Sequence, residues 1–159
     1  MNRRFLLLCI AVIGYQAADA MDERSAYPEK IVVWEGGIHF GWTRIILKPD
    51  GRIYGSAINR ERTDEERWSG SISPDQARKF IDQALKVKLG PRRELSNLMD
   101  IGAAGLDIES RSGVEKINLD AFDPLVTGPF KTEIFGLPYS IKNKKTIYRG
   151  TPHEAAWNP

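Results

Sequence analysis

Period-two alternation of apolar and polar residues dominates the first half of the readable chain. Ile31-Val32-Val33-Trp34 is a compact β-branched run and predicts a strand over 31–34. From 43 to 58 the alternation is regular on both sides of one turn signal. Ile45 and Leu47 share one face of the first arm, while Arg44, Ile46 and Lys48 share the other. Lys48-Pro49-Asp50-Gly51 supplies the preset φ of proline, a turn-favouring aspartate and a glycine, so 43–58 is a hairpin. Its second arm puts Ile53, Gly55 and Ala57 on one face and Tyr54 and Ser56 on the other. Small residues there call for a close backbone approach or an edge. A short fourth strand is expected at 68–72.

The period then changes. Ala77, Phe80, Ile81, Ala84 and Leu85 follow helical spacing. Ser73 and Gln76 form a capping box around Pro74, and Gly90-Pro91 ends the element. Residues 91–105 are irregular, with a single helical turn expected around Glu94–Met99. Alternation returns in a second hairpin, with Leu106 and Ile108 opposite Ile117 and Leu119 across Ser110-Arg111-Ser112-Gly113. Residues 59–67 are dense in charge of both signs and are expected as a solvated loop. Residues 121–159 carry spaced prolines and predict an extended C-terminal arm packing on the domain, with one strand within 139–148. Strands, one helix, then strands make an α+β fold: a mainly antiparallel sheet of about five to seven strands with one principal helix on one face. One helix cannot supply the crossovers of a parallel sheet.

The N-terminus changes the picture of where this domain works. Arg3 and Arg4 precede an apolar run from Phe5 to Ile13, and Ala18 and Ala20 stand at the small-residue positions of a cleavage site. Residues 1–20 are therefore expected to be a signal peptide cut after Ala20, with 21–29 a flexible lead-in and 30–120 the α+β domain. The apolar run is shorter than the roughly 20 residues that span a bilayer. Cys9 would leave with the signal, so the mature chain is expected to lack disulfides and thiolate ligands. Export without cysteine suits a bacterial periplasm or exterior. Net charge near zero gives no reason to expect a nucleic-acid partner.

Candidate chemistry centres on E-G-G-I-H-F-G-W-T-R, residues 35–44. A phosphate-binding glycine loop must lead into a helix, whose free N–H groups hold the anion. Here Gly41 leads into an alternating strand, so that chemistry is excluded and no cofactor is expected. His39 and His153 lack metal-ligand spacing, and no metal is expected. A small hydrolase would need His39 with a carboxylate from the second hairpin. Asp120 and Asp123, close to Pro124, read as turn formers rather than an acid–base pair. Phe40, Trp42 and Arg44 alternate to one side of a strand, with His39 beside them, and aromatics plus arginine are enriched at protein-binding hot spots. These four form the candidate binding site for another protein, an envelope or secreted enzyme. Trp34 and Trp68 are expected in the core. A third class, an envelope structural or ligand-binding protein, would use a groove beneath the 121–159 arm.

The glycine-rich start, then S-I-S-P-D-Q-A-R-K-F-I-D-Q-A-L, then A-G-L-D-I-E-S-R-S-G-V-E-K-I-N-L resembles the small bacterial emfourin-type inhibitor domains. The resemblance covers about residues 30–120. It implies a non-enzymatic inhibitor of a thermolysin-like metalloprotease, in keeping with an inhibitor or immunity-type role.

Overall fold

The structure, a computed structural model, describes residues 27–37, 41–91, 103–152, Trp157 and Pro159. Its strands are β1 (Lys30–Gly37), β2 (Gly41–Leu47), β3 (Arg52–Ile58), β4 (Glu65–Ser71), β5 (Ala103–Ser110), β6 (Gly113–Asn118) and β7 (Lys145–Gly150). They form one antiparallel sheet in the order β6-β5-β1-β2-β3-β4-β7. Among the described residues, two α-helices, α1 (Pro74–Lys88) and α2 (Pro124–Ser140), complete an α+β fold.

Local chemistry accounts for the turns and caps. The Gly51 amide donates to the Lys48 carbonyl at 3.0 Å, and Gly51 takes a φ of 90°, which a side chain would resist. Asp50 accepts from the Arg52 amide and guanidinium, joining β2 to β3. Ser73 Oγ accepts from the Gln76 amide at 3.2 Å while Gln76 Oε1 accepts from the Ser73 amide, closing the expected capping box. The buried stripe of α1 is Ala77, Ile81, Ala84 and Val87, with Phe80 and Leu85 at its margins. It packs with Ile31, Val33, Ile45, Leu47, Ile53 and Leu106 from one face of the sheet. Each such side chain contributes about 1.5–3 kcal/mol by leaving water.

Four expectations need correcting. In place of an extended arm, residues 124–140 form helix α2, and the strand begins only at Lys145. Asp123 caps α2 by accepting from the Leu125 amide at 2.9 Å, and Pro124 occupies the first turn, where no amide is missed. Thr127, Phe130, Ile134 and Leu137 are its buried face, so packing outweighs the two internal prolines, Pro129 and Pro138. Glu65, Glu66 and Arg67, expected in a solvated loop, belong to β4 and pair with Ile58, Ala57 and Ser56. At the end of the lead-in, Tyr27 packs against the core and donates to Asp82 at 3.2 Å, and the Glu29 amide bonds to Glu109. Trp68 is a core residue, but Trp34 lies on the opposite face of the sheet. The helical turn expected around Glu94–Met99 lies outside the described residues.

Candidate functional site

Both helices cover the face carrying Ile31, Ile45 and Ile53, so the register puts their neighbours on the other face. Trp34 stands opposite Arg44, Arg44 opposite Ser56, and Ser56 opposite Arg67. Trp42, Ile46, Tyr54 and Asp107 share that side, as does Tyr148 of β7 opposite Arg67. The result is a ladder of aromatics and guanidinium groups across the middle of the sheet, away from the helices.

Glycines seat the rings. Trp42 is paired with Gly36, Trp34 with Gly105 and Trp68 with Gly55, each directly across a strand pair. In all three pairs a methyl group at the glycine would overlap the indole. Three of the four tryptophans thus lie flat over a facing glycine, two on the open face and Trp68 in the core. Trp34 and Trp42 are neighbours on the open face, with ring centroids 5.9 Å apart. Gly36 therefore serves the glycine stretch by admitting Trp42, and Gly41, with φ of 76°, turns the chain into β2.

Trp157 and Pro159 lie on this same face. Trp157 meets Tyr54 edge-on with centroids 6.1 Å apart, and the Arg67 guanidinium sits 5.4 Å from the Trp157 ring. Arg44 Nη1 donates to the Trp157 carbonyl at 2.7 Å, and Lys48 Nζ donates to a main-chain oxygen of Pro159 at 2.9 Å. On this face Val32 and Ile46 form a cross-strand pair only 3% and 0% exposed although they face away from the helices. Burial lowers the pKa of the Arg44 guanidinium, and the Asp107 carboxylate opposes that shift. Arg67 is fixed from below, its Nε and Nη2 donating to both oxygens of Glu65 at 2.7 and 2.9 Å.

No protein-family model, curated protein or solved structure matches this chain.

Of the four residues singled out from the sequence, Trp42 and Arg44 share the open face, while His39 and Phe40 lie outside the described residues. Alternation puts Tyr54 and Arg67 on the same face as Arg44, a signal masked for Arg67 by treating 59–67 as a loop. Tyr148 and Trp157 reach the face only through tertiary packing. The second-hairpin carboxylates are engaged structurally or electrostatically, Glu109 with Lys30 at 3.0 Å and Asp107 towards Arg44. Asp120 accepts from the Ala104 amide at 2.8 Å and lies 3.5 Å from Lys131. Among the described residues, no group of three or more His, Cys, Asp or Glu is placed to hold a metal. No described helix is long and apolar enough to cross a membrane.

A cleft of about 360 Å³ opens on the helix side, lined by Glu35, Asp120, Phe122, Thr127, Lys131 and Phe135 among others. Burial pushes the Glu35 carboxyl pKa up; the Lys131 charge pulls it down, and Asp120 adds a smaller upward push. The folded state therefore binds a proton more tightly than the unfolded chain. Glu35 favours folding most when protonated, and that advantage is lost as pH rises from the ordinary carboxylate value through the raised one. Glu35→Gln should raise the melting temperature at about pH 7.5 and leave it unchanged at about pH 4. An equal effect at both pH values in thermal melts would show that charge burial is not the cause.

Proposed function

We propose that this chain is an exported bacterial protein that acts without catalysis, binding another protein through the open face of its sheet. The N-terminal charge, apolar run and small-residue site support export to the periplasm or beyond, with cleavage after Ala20. The single observation that carries the binding reading is the ladder Trp34, Trp42, Arg44, Tyr54 and Arg67 on the face turned away from both helices. Rings pre-seated on glycine and an arginine pre-held by Glu65 lose little freedom on docking, the condition under which such residues become hot spots. An inhibitor or immunity-type role towards an envelope or secreted enzyme fits this equipment, in line with the emfourin-like pattern of the sequence.

The test is capture of a partner from the native envelope fraction by the tagged chain, followed by affinity measurement. Trp42→Ala and Arg44→Ala should each weaken the complex by about 2 kcal/mol or more, roughly thirtyfold, with unchanged circular dichroism. Undiminished affinity in both variants would remove the open face from consideration. A second reading, a small-ligand binding protein, is favoured by one observation, the cleft beneath α2.

A further inference from the structure

We infer that the segment bearing Trp157 and Pro159 is a resident occupant of the partner's seat, displaced when an extended, acidic, aromatic-bearing segment of a partner docks there. This rests on the protein-binding reading and names the chemistry of the partner. Among the described residues, four contacts hold this segment: Tyr54 edge-on to the indole, Arg67 over its ring, Arg44 on the Trp157 carbonyl and Lys48 on a main-chain oxygen of Pro159. Each is generic to any extended peptide that carries an aromatic side chain. The ring is recognised by stacking, and the two main-chain oxygens are recognised two residues apart.

The seat is built independently of its occupant. Arg67 keeps its plane through two bonds to Glu65 and a second stacking contact with Tyr148 at 5.4 Å. Lys48 also lies 5.4 Å from the Tyr54 ring, so its ammonium is positioned by the sheet. Arg44 and Lys48 bring two cationic donors to one strip of sheet, beside an Arg67 whose charge Glu65 answers, and the resident segment meets Arg44 with the neutral carbonyl of Trp157. Carboxylates make stronger bonds to such donors than carbonyls do. A partner segment with Asp or Glu beside its aromatic residue therefore binds the seat more strongly than the resident one. The resident segment competes at an effective concentration in the millimolar range, because it is part of the same chain. It acts as a threshold, keeping the face covered until a better-matched segment arrives.

The probe is a fluorescein-labelled peptide of residues 151–159, TPHEAAWNP, titrated by anisotropy into the full chain and into its Trp157→Ala variant. The peptide should bind the variant roughly tenfold or more tighter than the wild type. A version with Asn158→Asp and Pro159→Asp should bind the variant tighter still, and one with Trp157→Ala should not bind. Equal affinity for both proteins, or binding to neither, overturns the inference. A second measurement needs only the wild-type fold. With 5-fluorotryptophan in the chain, saturating acidic peptide should move the Trp157 fluorine resonance to its solvent-exposed position, and an unmoved resonance counts against displacement. A captured partner that the peptides do not compete away would overturn this inference alone and leave the protein-binding reading standing.

Discussion

Arg67→Ala should destabilise the protein by about 3 kcal/mol or more, read as a fall in the urea midpoint at unchanged slope. The Glu65 side chain is 5% exposed and that of Arg67 13%, so their bidentate pair lies almost wholly out of water. Truncating the arginine leaves the cost of burying the carboxylate in place and removes two charge-assisted bonds that offset it. It also takes the cation from between the Tyr148 and Trp157 rings, loosening both β7 and the segment over the sheet. Arg67→Lys should recover only part of the loss, because an ammonium lacks the planar fork. Glu65→Gln combined with Arg67→Met should cost less than the two single losses added together, the coupling expected of one buried unit. A loss below about 1 kcal/mol for Arg67→Ala would mean that the pair behaves as an ordinary surface ion pair.

Features governed by neighbours in sequence are legible from the sequence alone. Pro49-Asp50-Gly51, the Ser73–Gln76 box and the Ser110–Gly113 turn all act within a few residues, so their chemistry declares itself locally. The α+β class follows from the same local signals. Two features of the fold are not legible, each for a non-local reason. Helix α2 contains Pro129 and Pro138, which signal a break, yet the spacing of Thr127, Phe130, Ile134 and Leu137 is helical. Glu65 and Arg67 look like solvent residues singly and become strand residues only because each neutralises the other. The site divides the same way. Alternation puts Trp42 and Arg44 on one side of β2, but which side the helices cover depends on the whole sheet. Nothing near Trp157 in sequence predicts that it will lie between Tyr54 and Arg67.

Gly55→Val should cost about 4 kcal/mol, against the sign that strand propensity alone suggests. Valine is the better strand former, and glycine forfeits roughly 0.5–1 kcal/mol in an ordinary strand interior. Gly55, however, lies directly opposite Trp68 in the β3–β4 register, and a methyl group there would overlap the indole ring. Trp68 is 4% exposed and packed in the same cluster as Ile53 and Ile141. The added carbons must expel the ring from the core or part the strands. Expelling it forfeits most of what Trp68 burial contributes, a loss on the scale of a buried Trp→Ala change, about 3–5 kcal/mol. That loss exceeds the gain in strand propensity several times over, so the variant should unfold at markedly lower denaturant. Combining Gly55→Val with Trp68→Ala should then cost clearly less than the sum of the two, because the added methyls occupy space the ring has left. Gly105→Val is the internal control: Trp34 is only half-buried on the open face and can swing towards water, so the penalty should be smaller. Strict additivity of Gly55→Val and Trp68→Ala would show that the ring is not seated on the glycine. A Gly105→Val penalty as large as that at Gly55 would show that Trp34 is held as rigidly on the open face as Trp68 is in the core.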